Sequence, residues 1–227
     1  MYNPHTAAHD TFKLCLVTDA ALCLHHDLLR IVQLSVQAGV TCVQLREKDL
    51  STRDFIERAR AVKALLNGFE ARVPLIINDR VDVALAIGAD GIHVGQSDMP
   101  VQMVRQLMPK NAIVGVSITC VEDMQQAIDQ HLHVDYLGVG PIFPTSTKAD
   151  AAQALGLDGL QTIRAMTVLP LMAIGGIQLA NTAQVIQAGA DGIAVVSAMC
   201  AARDPEQVVY GFLSQISKAP YKGLVST

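Results

Sequence analysis

A single (β/α)8 barrel of the TIM type is the fold class this chain predicts, on three observations. Short apolar, β-branched runs recur along the sequence, and each is followed by a stretch with helical periodicity, the pattern of repeated βα units around a parallel sheet. Eight such pairs can be counted, which suits a closed barrel better than an open sheet. A length of 227 residues, 51% of them hydrophobic, is enough for one substantial core. The competing arrangement is an open doubly wound sheet. It would place a G-x-G-x-x-G turn after the first strand, where this chain reads Thr18-Asp19-Ala20. The barrel is therefore placed at residues 12–219, with tails at 1–11 and 220–227.

Taken in order, the predicted strands are Leu14–Thr18, Cys42–Arg46, Pro74–Asn78, Gly91–Val94, Ile113–Val116, Tyr136–Val139, Leu171–Ile174 and Gly192–Val196. Most are almost continuously apolar, as strands covered on both faces must be. The predicted helices are His26–Ala38, Thr52–Asn67, Val81–Ile87, Pro100–Leu107, Val121–His131, Gly159–Met166, Asn181–Ala188 and Pro205–Ile216. Ser51 with Asp54 reads as a shortened capping box, Asn181 as an N-cap and Pro205 as a first-turn residue. Gly39, Gly88 and Gly189 stand where helices should stop. The matching segments Gly88-Ala-Asp-Gly-Ile and Gly189-Ala-Asp-Gly-Ile are what repeated βα units produce.

Composition narrows the function. Net charge is -4 and the isoelectric point about 5.9, and the chain has no basic cluster, so a nucleic-acid footprint is absent. The five cysteines are scattered without a C-x-x-C pair, which points away from a disulfide framework or zinc site and toward a reducing, cytoplasmic setting. The first ten residues lack the order of a signal peptide, and no apolar run of about 18 residues exists. A soluble, membrane-free protein is expected, and a homo-oligomer is compatible with the sequence.

In a barrel, the C-terminal strand ends and the loops after them build the site. Polar residues collect there: Gln44, Arg46, Glu47 and Lys48; Asn78, Asp79 and Arg80; His93, Gln96 and Asp98; Ser117; Thr145 to Lys148; Gly175-Gly176; and Ser197. Arg46 and Lys48, two apart in a predicted strand, share a face and invite an anion. Asp79 and Asp98 end adjacent strands and would satisfy Mg²⁺ together with water and ligand phosphates, the alternative being a helix N-cap for each. The segment Gly138–Lys148 combines glycine, proline, threonine and lysine, as a phosphate loop or a plain turn would. Gly175-Gly176 and Ser197 fall where barrels often hold a phosphate, or where they simply turn. His93 reads as a packed or orienting residue more than as an acid or base. His25-His26 and His131-x-His133 read as surface residues. Two anion-binding regions imply two anionic ligands or one diphosphorylated ligand. No Ser-His-Asp set or acid–base carboxylate pair is evident, which favours chemistry driven by charge and positioning.

The motifs Gln44-Leu-Arg46-Glu-Lys48, Ile77-Asn78-Asp79-Arg80, Gly91-Ile-His93-Val-Gly-Gln96-Ser-Asp98, Gly140-Pro-Ile-Phe-Pro-Thr145-Ser-Thr147-Lys148, Ala173-Ile-Gly175-Gly176-Ile177 and Gly192-Ile-Ala-Val-Val-Ser197 closely resemble thiamine-phosphate synthases. They run in order over nearly the whole chain after Thr11. The resemblance implies a transferase joining a hydroxymethylpyrimidine diphosphate to a thiazole phosphate with release of pyrophosphate. It implies that Gln44, Arg46, Lys48, Asn78 and Lys148 hold the diphosphate, that Asp79 and Asp98 ligate Mg²⁺, and that Ser117 holds the departing pyrophosphate. Arg46, Lys48, Ser117 and Lys148 would be the catalytic set. Thr145, Thr147, Gly176 and Ser197, with Gly175 and Val196 beside them, would contact the thiazole phosphate. Ala149–Leu157 would be either a lid or a plain surface loop. The neighbouring possibilities are a related thiazole tautomerase and a non-catalytic phosphate-ligand binding barrel.

Overall fold

Each apolar run becomes a strand because, once paired on both sides, it is covered by helices outside and by side chains within. The computed structural model describes residues 11–145 and 153–219. The strands are β1 (Leu14–Val17), β2 (Cys42–Leu45), β3 (Leu75–Asn78), β4 (Gly91–Val94), β5 (Ile113–Ile118), β6 (Tyr136–Val139), β7 (Leu171–Ile174) and β8 (Gly192–Val195). All pairings are parallel, and β8 returns to β1 through Leu14 opposite Ile193 and Leu16 opposite Val195, so the barrel closes without an edge. Strand residues alternate between two cores. Leu14 and Leu16 face the helices, whereas Cys15 and Val17 join Cys42, Ile76, Tyr136 and Met172 inside the barrel.

The helices are α1 (Leu28–Gln37), α2 (Thr52–Leu66), α3 (Val81–Ile87), α4 (Val101–Leu107), α5 (Val121–Asp129), α6 (Gly156–Met166), α7 (Thr182–Gln187), α8 (Ser197–Cys200) and α9 (Pro205–Lys218). Ser51 caps α2, its Oγ accepting the Asp54 N–H at 3.2 Å. The hydroxyl in turn donates to the Asp54 carboxylate at 2.7 Å, so this acid meets the serine side chain instead of reaching back to its N–H. Asn181 precedes α7 but leaves it uncapped. Its side chain turns back into the preceding loop, accepting from the Gln178 N–H at 2.8 Å and donating to the Gly176 carbonyl at 3.1 Å. Two elements, the 3₁₀ turn Ala20–Leu22 and the four-residue α8, were not expected from the sequence.

The repeated Ala-Asp-Gly turns have a structural reason at the N-terminal rim. Asp90 accepts the Leu75 N–H of β3 at 3.0 Å, and Asp191 accepts the Leu171 N–H of β7 at 2.7 Å. Asp135, outside the repeat, takes the Val114 N–H of β5 at 2.7 Å in the same way. Each aspartate also meets an arginine: Arg72, Arg164 and Arg105 respectively. These clasps pin strand to strand at the end of the barrel away from the polar loops.

Two boundaries matter for the site. β2 ends at Leu45, one residue before the predicted end, so Arg46 and Lys48 lie in the following loop and strand alternation is not what aligns them. β5 runs two residues beyond its predicted end, which makes Ser117 an inward strand residue instead of a loop residue.

Candidate active site

At the C-terminal ends of the strands lies a cavity of about 760 Å³. Gln44, Arg46, Lys48, Asn78, Asp79, Asp98, Ser117, Thr145, Gly175, Gly176, Val196 and Ser197 all line it. Thr147 and Lys148 lie outside the described residues, as does the first part of the segment Ala149–Leu157, residues 149–152. The described end of that segment is anchored, because the Leu155 and Gly156 N–H groups donate to the Pro141 and Ile142 carbonyls at 2.8 and 3.0 Å.

One side of the cavity is charged. Asp79, directly after β3, sits in the left-handed region at φ 62°, a conformation that aspartate tolerates better than most residues and that costs about 1 kcal/mol. Its N–H is held by the His93 carbonyl at 2.8 Å, and its carboxylate meets the Lys48 ammonium at 2.5 Å. Asp98 is fastened by the Gly95 N–H at 2.7 Å. Burial first, and the neighbouring Asp79 carboxylate next, push the Asp98 carboxyl above its ordinary pKa. Neither aspartate serves as a helix N-cap; Arg80 and Pro100 occupy those positions. Two carboxylates in contact at a cavity wall are donors that a hard divalent cation would relieve. Among the described residues no cluster of three or more such groups occurs.

Arg46 reaches the cavity from the loop after β2. Its N–H donates to the buried Thr18 hydroxyl at 3.1 Å, and its guanidinium meets Asp19 at 3.2 Å. Glu47, its neighbour, turns away to Arg58 on α2 at 2.8 Å, which fixes the loop. Asp19 was not among the residues singled out from the sequence; its signal was a carboxylate directly after the first strand.

The opposite side is built from two loops packed together. The loop after β6 leaves through a cis Gly140–Pro141 bond, and its Ile142 and Phe143 N–H groups donate to the Ile174 and Gly175 carbonyls at 2.9 and 3.0 Å. Gly176 sits at φ 65°, and a Cβ there would come within 2.7 Å of Phe143 Cβ and 2.8 Å of the Pro144 carbonyl. Glycine is therefore required both for the turn and for the close approach. Ser197 opens α8 on the same side.

The floor holds what sequence reasoning left secondary. His93, only 7% exposed, contacts the Tyr136 hydroxyl through Nδ1 at 2.8 Å and Ser117 Oγ through Nε2 at 2.9 Å. Tyr136 itself is fully buried and was missed. Its signal was a phenol inside an otherwise apolar strand, which needs a partner. Gln96 also belongs here, its amide donating to the Ser117 carbonyl at 2.6 Å. The other described histidines do not line the cavity. His25, His131 and His133 are exposed, and half-buried His26 meets the Arg203 carbonyl at 3.0 Å.

The family profile described as thiamine monophosphate synthase matches residues 14–199, from β1 into α8. The chain belongs to that family. It is accordingly an enzyme of the transferase class, and the eight-stranded barrel is the family's fold. A thiamine-phosphate synthase of Albidiferax ferrireducens is 51% identical over 209 residues, covering 90% of this chain and 94% of that protein. One from Leptospira biflexa is 47% identical over 202 residues, covering 88% and 95%. Among solved structures, a thiamine phosphate pyrophosphorylase from Pyrococcus furiosus superposes with a TM-score of 0.83 at 33% identity, covering 93% of this chain and 98% of that one. A geranylgeranylglyceryl phosphate synthase from Thermoplasma acidophilum shares the fold alone, with a TM-score of 0.65 at 14% identity. Among the described residues no helix is long and apolar enough to cross a membrane.

Proposed function

We propose that this synthase-family chain condenses 4-amino-2-methyl-5-hydroxymethylpyrimidine diphosphate with 4-methyl-5-(2-phosphoethyl)thiazole, giving thiamine phosphate and pyrophosphate, in the cytoplasm. The observation that carries the reading is one cavity with a cationic, carboxylate-bearing side facing a glycine- and hydroxyl-lined side. Two phosphorylated substrates can then meet with their reacting atoms between.

On the charged side, Arg46 and Lys48 bind the diphosphate, with Gln44 and Asn78 orienting the pyrimidine end, and Lys148 joins them from the loop after β6. Arg46 and Lys48 rest on Asp19 and Asp79 before substrate arrives, so an incoming diphosphate competes for cations already held in place. Asp79 and Asp98 fit Mg²⁺ because their adjoining carboxylates repel each other without a cation. When bound, the ion neutralises charge on the diphosphate and so favours its departure. Ser117 donates a hydrogen bond to the leaving pyrophosphate. Thr145, Thr147, Gly175, Gly176 and Ser197 hold the thiazole phosphate, with Val196 against the ring, so that the thiazole nitrogen faces the pyrimidine methylene.

The step is largely dissociative. The C–O bond to pyrophosphate breaks, a pyrimidine carbocation forms, and the thiazole nitrogen supplies the pair for the new C–N bond. A tertiary ring nitrogen has no proton to lose, so no general base is needed.

The test supplies both substrates to the purified enzyme with and without Mg²⁺ and follows pyrophosphate and thiamine phosphate. Stoichiometric, Mg²⁺-dependent formation of both is expected. Binding of both ligands without either product, or isomerisation of a thiazole alone, would refute the reading.

A further inference from the structure

The residues beneath Ser117 form a hydrogen-bonded chain across the barrel lumen. Tyr136 of β6 meets His93 Nδ1 of β4 at 2.8 Å through its hydroxyl, and His93 Nε2 meets Ser117 Oγ of β5 at 2.9 Å. Space for it is reserved by glycines on neighbouring strands. A Cβ on Gly115 would come within 2.2 Å of Tyr136 Cζ and 2.6 Å of His93 Nδ1, and one on Gly138 within 2.7 Å of His93 Cε1. The imidazole and phenol rings lie with centroids 5.4 Å apart and planes tilted by 32°, so neither ring can turn freely.

We propose that Tyr136 and His93 are positioning residues that direct the Ser117 hydroxyl proton into the cavity, toward the departing pyrophosphate. This rests on the role given to Ser117 above.

A phenol has one O–H and a neutral imidazole one N–H. In one arrangement the Tyr136 O–H donates to His93 Nδ1, and His93 Nε2–H donates to Ser117 Oγ. Ser117 has then accepted a hydrogen bond and keeps its own proton for an anion. In the reverse arrangement His93 Nδ1–H points at Tyr136, and Ser117 must donate to Nε2, turning its proton away from the substrate. The first arrangement agrees with the surroundings of the phenol. Burial pushes Tyr136 well above its ordinary pKa, so the phenol keeps the O–H that this arrangement requires. Gln96 holds the Ser117 carbonyl at 2.6 Å, leaving the hydroxyl as the group of this residue that the relay orients.

The relay explains why a histidine at the cavity floor belongs to an enzyme needing no base. His93 neither gives nor takes a proton in the reaction; its tautomer decides which way a neighbouring proton points.

Two measurements test it. In ¹⁵N-labelled wild-type enzyme, long-range ¹H–¹⁵N spectra, with the His93 signals assigned by their loss in His93→Leu, should show Nε2 protonated and Nδ1 bare. In Tyr136→Phe, whose apolar ring fills the same space, kcat should fall on the order of 10-fold with KM for both substrates little changed, as expected for a hydrogen bond made chiefly in the transition state. His93→Gln, which can still present a donor amide to Ser117, should retain more kcat than His93→Leu. A wild-type enzyme carrying Nδ1–H overturns the relay whatever the variants do, and so does a Tyr136→Phe enzyme with kcat unchanged. A wild-type chain that releases no pyrophosphate instead overturns the proposed function, which separates the two failures.

Discussion

Replacing Asp191 with alanine should destabilise the barrel strongly while sparing the site at the opposite end. The Asp191 side chain is 2% exposed, and it accepts both the Leu171 N–H at 2.7 Å and Arg164 Nη1 at 2.9 Å. Removing it strands a guanidinium whose own side chain is 17% exposed and whose Nε already lacks a partner. Arg164 would keep only the Thr167 and Leu169 carbonyls among its present acceptors. Breaking a buried pair costs about 3–5 kcal/mol, and the orphaned Leu171 amide falls within that figure. A loss of about 4 kcal/mol lowers Tm by roughly 8–16 °C for a chain of this size. Asp90→Ala is the comparison, because its arginine, Arg72, is 85% exposed. That ion pair contributes at most about 1 kcal/mol, so the Leu75 amide dominates and the total is about 2 kcal/mol. Urea unfolding followed by circular dichroism measures both, with pyrophosphate release measured at a temperature where both variants are folded. Equal midpoints for the two variants would refute the argument from burial. So would a loss of kcat in folded Asp191→Ala, which would mean that the two ends of the barrel are coupled.

Three further outcomes follow from the site. Gly138→Ala places a methyl about 0.8 Å inside ordinary contact with His93 Cε1, so kcat should fall roughly 10- to 100-fold and Tm by roughly 2–12 °C, and a near-wild-type kcat would show that the ring can yield. Asp79→Ala should lose activity chiefly through weakened Mg²⁺ dependence, seen as a rightward shift in a Mg²⁺ titration of rate; full rate at low Mg²⁺ would refute that role. Asp98→Asn should raise the Tm of metal-free enzyme at neutral pH, since the amide keeps an acceptor for the Gly95 N–H and removes a disfavoured charge. The sign follows from linkage: the folded carboxyl titrates above its unfolded value, so the folded state binds the extra proton and stability falls as pH rises from the unfolded value through the folded one. The gain should therefore vanish below the ordinary carboxylate range, and a variant less stable at pH 7 would contradict it.

The order of strands and helices was legible from local pattern alone, and Gly91–Val94, Tyr136–Val139, Leu171–Ile174 and Val81–Ile87 have the bounds read from the sequence. Apolar runs bounded by glycine and aspartate leave few other ways to bury the chain. Short elements escaped for the same reason. Ser197–Cys200 and Ala20–Leu22 are too brief to show a period, and Asn181 has the residue type of a cap but found better partners in Gln178 and Gly176. Charged and glycine residues at strand ends marked the site because all C-terminal ends of a parallel barrel share one rim.

What the sequence by itself determined is the βα repeat and the residue types gathered at that rim, since both depend on neighbours a few positions apart. Only the closed barrel decided which of those residues touch. Tyr136 and His93 are 43 positions apart and His93 and Ser117 are 24 apart, yet closure brings their inward faces to one layer of the lumen, where glycines on β5 and β6 leave room. The same closure set Lys48 against Asp79 and Arg46 against Asp19. A strand pattern states which way a side chain points, whereas partners across the lumen depend on strand number, stagger and the volume of every other inward residue.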